Sequence, residues 1–258
     1  MSGKKNPLNL EGKVAIITGS SSGIGKSIAR KLATYGAQVV ISSRKKEAVE
    51  KVAGEVSAEG FKAKGIACHV GDPVQREALI AQTMESFGRI DILVNNAAIN
   101  PYYGPIEGSG EAAFDKIMEV NVKAPWILSN LVFPYMKAQG CGSIVNIASV
   151  EGIQPGMGLG LYSTSKAALI MLTKNQAKEW GPSGIRVNVL CPGLVKTKLS
   201  EALWSDEKLL NHLTKTLPLK RIANPDEMAE IVLLLASDAG SYMTGGVYVA
   251  DGGYLISG

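Results

Sequence analysis

The sequence predicts an α/β fold in which a doubly wound parallel sheet of seven strands lies between two layers of helices. Apolar strand-like runs alternate with amphipathic helix-like segments along almost the whole chain of 258 residues. Several runs, such as those beginning at Val14 and Ser143, are continuous and rich in β-branched residues, which is typical of strands buried on both faces. Because no low-complexity linker interrupts the alternation, we expect one domain over residues 1–258.

The predicted elements follow one another in a regular order. The strands are Val14–Thr18, Gln38–Ser42, Lys64–Cys68, Ile92–Asn95, Ser143–Ala148, Arg186–Cys191 and Val247–Ala250. The helices are Gly25–Tyr35, Lys45–Glu59, Pro73–Phe87, Glu111–Lys137, Leu161–Trp180 and Pro225–Leu235. Residues 197–222 break the alternation with two short helical patterns, so we expect a substrate loop inserted there.

Composition excludes several classes of function. The 27 basic and 23 acidic residues give a net charge of +4 without a long basic run. The densest basic clusters are Lys4–Lys5 and Arg44–Lys46, which are too short to predict nucleic-acid binding. The two histidines are too few for a recognisable metal site, and no apolar run reaches the length of about 18 residues that a membrane span needs. Three cysteines without CxxC spacing favour a reducing compartment, so we expect a cytoplasmic protein.

A glycine-rich turn joins the first strand to the first helix. Glycines at this place allow a tight turn and a close approach of the backbone to a pyrophosphate, and the helix N-terminus directs N–H groups at its negative charge. The spacing is GxxxGxG, which alone is a weak signal, but its position between a strand and a helix strengthens it. The predicted cofactor-binding residues of the turn are Gly19, Ser21, Ser22, Gly23, Ile24 and Gly25.

A tyrosine and a lysine lie four residues apart in a helical segment. Tyr162 and Lys166 therefore share a helix face, with Cβ atoms about 5–6 Å apart. The pKa of a tyrosine, normally about 10, must fall by roughly three units for it to lose its proton at neutral pH, and one cation at about 4 Å supplies that energy at an effective dielectric constant near 20. Taken alone, the pair is more simply a surface tyrosine beside a solvated lysine.

Six motifs in order resemble the short-chain dehydrogenase/reductase family. They are TGSSSGIG after the first strand, NNAA at 95–98, Asn121 in EVNVKAP, Ser149 in IASVEG, YSTSK at 162–166 and PGLVKT at 192–197. The resemblance extends from Leu10 to Gly253 and implies a Rossmann-type fold that binds NAD(P). It also implies oligomers, and we expect a homotetramer that pairs through helices 111–137 and 161–180.

The resemblance assigns roles to four catalytic residues. Tyr162 is implied to be the general acid or base, and Lys166 to lower the pKa of the tyrosine and to bind the nicotinamide ribose. Ser149 is implied to bind and orient the substrate carbonyl together with Tyr162. Asn121 is implied to position a water in a proton relay. These roles agree with the chemistry, because hydride delivery to a carbonyl builds charge on its oxygen, which two hydroxyl donors can stabilise.

Further residues are implied to contact the cofactor. After the third strand, His69 and Val70 stand where many relatives have Asp-Val, and we expect them to contact adenine, whereas Asp72 is expected to cap the next helix. The strand ends contribute Asn96, Ala97, Ala98, Pro192, Gly193, Val195 and Thr197. Ala98 replaces the glycine that is usual in the family.

The end of the second strand predicts the choice of cofactor. NAD-binding relatives place an acidic residue here for the adenosine ribose, but this strand ends in Ser43, Arg44 and Lys45. A guanidinium offers a multidentate partner for a 2′-phosphate, so we expect NADP rather than NAD. A solvated basic start to a helix is the alternative interpretation.

The local sequences NNAAINPYYGPI, CHVGD and ISSRKK resemble the branch of NADP-dependent carbonyl and retinal reductases. We therefore expect a reductase that acts on a ketone or aldehyde, or on a secondary alcohol in reverse. A 3-oxoacyl-thioester reductase, a sugar or polyol dehydrogenase and a non-catalytic NADP-binding regulator stay open as alternatives. Candidates for the substrate mouth are Pro101, Tyr102, Tyr103, Met157, Leu159, Trp204 and Leu209.

Overall fold

One parallel sheet organises the chain in the computed structural model, which describes residues 6–257 apart from the side chain of Leu209. Lys4 and Lys5 lie outside the described residues. The seven described strands are paired in the order β3-β2-β1-β4-β5-β6-β7, and every pairing is parallel. Their bounds are β1 Val14–Thr18, β2 Gln38–Ser43, β3 Ala63–Ala67, β4 Ile92–Asn95, β5 Gly142–Ile147, β6 Ile185–Pro192 and β7 Val247–Ala250. The predicted fold class is confirmed.

Helices cover both faces of the sheet. Apolar side chains pack in one cluster that includes α1, α2 and α9 and in a second that includes α3 and α5, so the core has two layers separated by the sheet. The helices are α1 Gly23–Thr34, α2 Lys46–Ala58, α3 Pro73–Phe87, α4 Glu111–Met118, α5 Ala124–Gln139, α6 Gly160–Trp180, α7 Glu201–Trp204, α8 Glu207–Lys215 and α9 Pro225–Ala236. The two short helical patterns predicted within 197–222 correspond to α7 and α8.

The predicted continuous helix Glu111–Lys137 is wrong at one point. A π-helical turn, Glu119–Lys123, separates α4 from α5, and within it the Ala124 N–H donates to the Glu119 carbonyl five residues earlier. The cause is visible in the sequence, since Pro125 has no N–H and cannot donate an α-helical hydrogen bond to the carbonyl of Asn121. π-helical turns of this kind are frequent at functional sites.

The strand order places the candidate site. The chain runs outward from β1 through β2 to β3 and then crosses back to β4 on the other side of β1. This reversal of strand order opens a crevice at the carboxyl ends of β1 and β4. Asp72 caps α3 as predicted, because its carboxylate accepts hydrogen bonds from the N–H groups of Val74 and Gln75. Within residues 6–257, no helix has the length and apolar character needed to cross a membrane.

Candidate active site

The glycine-rich turn is packed directly against the end of β4. The Asn96 side chain donates hydrogen bonds to the carbonyls of Thr18 and Gly19 at 2.9 and 3.2 Å. A Cβ on Gly19 would lie 2.8 Å from the Asn96 amide nitrogen, and one on Gly25 would lie 2.5 Å from the same atom. The glycines are therefore required by this close approach. The Thr18 hydroxyl completes the junction by accepting from the N–H groups of Asn96 and Ala97.

The serines of the turn have different surroundings. Ser20 is fully buried, and its hydroxyl donates to the Ile17 carbonyl and accepts from the Ser42 N–H, which ties the turn to β2. Ser22 is exposed, and its hydroxyl makes no capping hydrogen bond to the described chain even though it precedes the first turn of α1. Ser21 is half-buried beside it. Ser22 and the first N–H groups of α1 are thus available to an anion.

The end of β2 presents basic side chains to solvent. Ser43 is half-buried, whereas Arg44 and Lys45 are exposed, and Arg44 has no hydrogen-bond or ion-pair partner among residues 6–257. After the neighbouring strand β3, Val70 is buried. His69 is half-buried, and its Nδ1 accepts a hydrogen bond from the Gly71 N–H at 3.0 Å. Among residues 6–257, no group forms a hydrogen bond with Nε2 of His69.

The segment after β6 reaches back to the glycine-rich turn. A Cβ on Gly23 would lie 3.3 Å from Cγ2 of Thr197, so this threonine closes over the start of α1. Gly193 packs on the backbone of Asp251, and Val195 is buried and pairs with Ala223. Pro192 is the buried last residue of β6. The structure thus brings the two predicted cofactor-binding segments together across the crevice.

Ser149, Tyr162 and Lys166 converge at the carboxyl end of β5. Ser149 follows this strand, and its hydroxyl lies close enough to the phenol of Tyr162, in the first turn of α6, to lower the pKa of that phenol. Lys166 is 2% exposed; its Nζ donates to the Ile147 carbonyl at 2.9 Å and lies 5.5 Å from the centre of the Tyr162 ring. A Cβ on Gly152 would lie 2.7 Å from the Lys166 backbone, so this glycine permits α6 to approach.

The electrostatic expectation for this pair needs correction. Burial raises the pKa of Tyr162 to about 12, although the Ser149 hydroxyl acts in the opposite direction. Burial lowers the pKa of Lys166 to about 8. The expected fall in the Tyr162 pKa does not occur, because burial disfavours the charged form of both groups. Tyr162 is therefore held as a protonated phenol at neutral pH.

Asn121 is fixed by both ends of its side-chain amide. Oδ1 accepts from the Ile99 N–H at 2.9 Å, and Nδ2 donates to the Ile99 carbonyl at 2.9 Å and to the Ser165 hydroxyl at 3.1 Å. The amide thus joins the loop after β4 to α6. Pro125 leaves the backbone carbonyl of Asn121 without an α-helical hydrogen bond. The half-buried Ala98 lies next to this loop in sequence.

Sequence reasoning did not predict the contacts of several residues that build the site. Thr18, Gly152 and Ser165 hold the functional segments together, as described above. Glu151 accepts hydrogen bonds from the Gly156 N–H and the Ser163 hydroxyl beside Tyr162. For Glu151 the available signal was an acidic residue two positions after Ser149. No cluster of three or more potential metal-binding side chains occurs within the part of the chain that the structure describes.

Comparison with known proteins agrees with this geometry. The profile of a family described as enoyl-(acyl carrier protein) reductase matches residues 19–255. A rabbit (Oryctolagus cuniculus) protein, dehydrogenase/reductase SDR family member 4, is 46% identical over 244 residues, which cover 95% of this chain and 94% of the relative. The chain belongs to the short-chain dehydrogenase/reductase family. It is accordingly an NAD(P)-dependent oxidoreductase that acts on alcohol or carbonyl groups.

Solved structures of other family members superpose closely. A putative NAD(P)-dependent gluconate 5-dehydrogenase from Beutenbergia cavernae with bound NADP has a TM-score of 0.92 and 36% identity, covering 97% of this chain and 99% of that one. A 7α-hydroxysteroid dehydrogenase complexed with NADH and 7-oxo glycochenodeoxycholic acid also has a TM-score of 0.92, with 34% identity and 96% coverage of both chains. Family members with this fold thus differ in both cofactor and substrate.

Proposed function

We propose that the protein is an NADPH-dependent carbonyl reductase in which Tyr162 is the proton donor. The observation that carries the proposal is the placement of a protonated phenol against the Ser149 hydroxyl, with Lys166 buried alongside. Two hydroxyl donors that meet at one point provide the environment that a carbonyl oxygen needs as it gains negative charge.

The residues of the chain account for the proton side of the reaction. When bound, the reduced nicotinamide supplies a hydride to the carbonyl carbon. Ser149 donates a hydrogen bond to the carbonyl oxygen and orients it, and Tyr162 transfers its phenolic proton to that oxygen as the alcohol forms. Tyr162 enters the reaction carrying its proton, because its pKa lies well above neutral pH.

Lys166 and Asn121 are proposed to return a proton to Tyr162. Lys166 has a pKa of about 8, which lies close enough to neutral pH for its ammonium to exchange a proton, and it is also proposed to bind the nicotinamide ribose. The backbone carbonyl of Asn121, which has no α-helical donor, is suited to hold a water on the path from Lys166 to solvent. The amide of Asn121 keeps this carbonyl in place through Ile99 and Ser165.

Arg44 supports a preference for NADP over NAD. Its guanidinium is exposed at the end of β2 without a protein partner in residues 6–257, and Ser43 and Lys45 flank it. A 2′-phosphate would satisfy these donors, whereas a ribose hydroxyl would not use the charge. The gluconate 5-dehydrogenase from Beutenbergia cavernae was solved with NADP. We propose adenine contacts for His69 and Val70 on the same side.

Apolar side chains at the mouth support an apolar carbonyl substrate. Tyr103, Ile106, Ile153 and Met157 are 71%, 57%, 46% and 92% exposed. Tyr103 packs beside Gly158, and Ile106 packs beside Gly160 at the start of α6, so both lie near Tyr162. We propose that this mouth receives apolar or aromatic ketones. Residues 197–222 are proposed as the substrate loop that faces it, with Trp204 held by a hydrogen bond to the Thr197 carbonyl at 2.8 Å.

Two other substrate classes have partial support. Exposed basic side chains lie around the substrate loop, namely Lys196, Lys198 and Lys220. A basic patch of this kind would suit a thioester substrate that is bound to an acidic carrier protein. A sugar acid would agree with the gluconate dehydrogenase likeness, but a Glu151 carboxylate oxygen that would accept from its hydroxyl groups already accepts from Gly156 and Ser163.

The test is NADPH oxidation across a panel of aryl ketones, diketones, sugars, gluconate-type acids and oxoacyl thioesters. We expect aryl ketones and diketones to have the highest kcat/KM. A preference for thioesters or sugar acids would overturn the proposed substrate class, and failure of every carbonyl compound would favour the non-catalytic regulator.

An apolar helical face supports the expected homotetramer, or at least a dimer. Phe114, Trp126 and Met171 are 45%, 45% and 56% exposed on α4, α5 and α6. Trp126 also lines a groove of about 600 Å³ with Val122 and Leu172. We propose that protomers pair through this face.

The free cysteines of the described chain support the proposed cytoplasmic location.

A further inference from the structure

The Glu151 side chain occupies a junction beside the candidate catalytic residues. One of its carboxylate oxygens accepts from the Gly156 N–H at 2.6 Å and from the Ser163 hydroxyl at 3.1 Å. The Glu151 N–H donates to the Ser149 hydroxyl at 3.1 Å. One residue therefore contacts the segment that follows β5, the loop at the substrate mouth and the first turns of α6.

The packing at this junction leaves little freedom. A Cβ on Gly156 would lie 2.7 Å from the Glu151 carboxylate, so the contact requires glycine at this position. Ser163 is 6% exposed and directly follows Tyr162, so its bond to Glu151 restrains the part of α6 that carries the phenol. The neighbouring residues Ile153 and Met157 are exposed, so Glu151 holds the middle of a loop whose far end is bonded through the Gly158 carbonyl to the Gly104 N–H.

We propose that Glu151 is a positioning residue that fastens the 153–159 loop to α6, holds Ser149 and Tyr162 in their relative positions, and places a negative charge beside the phenol. The proposal rests on the proposed function, because it assigns a task within the same site. Glu151 acts through Ser149, Ser163 and Tyr162 and has no contact with the reacting atoms.

The charged and titratable groups around the phenol determine the direction in which the pKa of Tyr162 should shift when Glu151 is replaced. The charge of Glu151 raises the pKa of Tyr162, and it also raises the pKa of Tyr254 in the C-terminal turn. On the other sides, Lys166 lies near the ring, and the buried Cys191 thiol at the end of β6 has a pKa raised to about 11. Removal of the Glu151 charge should therefore make Tyr162 easier to deprotonate, which favours alcohol oxidation.

Two substitutions separate the charge from the contacts. Glu151→Gln keeps an oxygen that can accept from Gly156 and Ser163 but removes the charge. Glu151→Ala removes both. Glu107→Gln is the matched control, because Glu107 is an exposed glutamate without a side-chain partner in the described residues. Each protein is assayed for ketone reduction and alcohol oxidation between pH 6 and 10, and NADPH affinity is measured by fluorescence titration.

We expect Glu151→Gln to reduce ketones within about twofold of the wild-type rate. Its pH profile of alcohol oxidation should move to lower pH by about half a unit. At pH values well below the apparent pKa, this shift makes oxidation about threefold faster than in the wild type. We expect Glu151→Ala to lower kcat about tenfold in both directions and to keep its affinity for NADPH, because the hydroxyls of Ser149 and Tyr162 are no longer held in their relative positions.

An oxidation profile of Glu151→Gln that overlays the wild type or moves to higher pH overturns the proposal, as does wild-type kcat in Glu151→Ala. If Glu151→Ala does not fold, the Glu151→Gln profile alone decides. A wild-type protein that turns over no carbonyl substrate would instead refute the proposed function.

Discussion

The two ends of the cofactor crevice are built in opposite ways. At the catalytic end, Asn121 and Lys166 are almost fully buried, and their polar atoms are already bonded to protein carbonyls and hydroxyls. At the adenosine end, Arg44 and Lys45 extend into solvent, and Ser22 leaves its hydroxyl unused by the helix that it precedes. We therefore propose that the fold sets the catalytic geometry, whereas the adenosine end takes up its geometry when the cofactor binds. Substitutions at the first end should change kcat, and those at the second end should change cofactor discrimination.

The largest effect is expected at the catalytic end, from Tyr162→Phe. Loss of the phenolic proton donor should lower kcat about a thousandfold, since general acid catalysis contributes roughly 10² to 10⁴. NADPH affinity should change by less than about threefold. Steady-state reduction of a ketone and fluorescence titration of NADPH measure the two quantities. Tyr242→Phe, which removes the same hydroxyl from an exposed tyrosine, should have no effect; retention of more than about a tenth of wild-type kcat in Tyr162→Phe would contradict the assignment.

A smaller effect of a different kind is expected at the adenosine end, from Arg44→Ala. Loss of charge-assisted hydrogen bonds to a 2′-phosphate should lower the ratio of kcat/KM for NADPH over NADH by about 10- to 100-fold, mainly through KM for NADPH. Lys46→Ala is the control, because it removes a nearby charge that pairs with Glu50 at 3.8 Å. An unchanged ratio in Arg44→Ala, or an equal loss in Lys46→Ala, would show that Arg44 does not select the cofactor.

The smallest effect links the two ends through pH. The pKa of Lys166 is lowered to about 8, and a ribose that binds the ammonium would raise it. Above pH 8 the cofactor would therefore have to bind together with a proton, so NADPH affinity should fall roughly tenfold between pH 7 and pH 9.5. Calorimetric titration measures this dependence. Lys166→Met should flatten it and Lys46→Met should keep it, whereas a pH dependence that survives in Lys166→Met would place its origin elsewhere.

Local patterns made much of the molecule predictable. The Tyr162 and Lys166 pair, the glycine-rich turn and the Asp72 cap each depend on spacing within a few residues, which the sequence displays directly. The alternation of apolar runs with amphipathic segments was sufficient for the parallel sheet, because each strand buried on both faces has a continuous apolar run.

Features that depend on tertiary contacts were not predicted. The π-helical turn at Glu119–Lys123 was overlooked because Pro125 was included in one long helical pattern. The pKa of Tyr162 could not be inferred from its spacing to Lys166, since burial has the largest effect on it. The Glu151 contacts with Gly156 and Ser163 join residues whose closeness only the fold creates.

Carbonyl reduction by this protein is tested most directly by a single turnover with NADPH that carries deuterium at the transferred position and with an aryl ketone as acceptor. We expect one deuterium on the former carbonyl carbon of the alcohol for each NADPH consumed. In the same interval Tyr162→Phe should form almost no deuterated alcohol. Binding of NADPH without transfer of deuterium to any carbonyl compound would contradict the assignment of this protein as a carbonyl reductase.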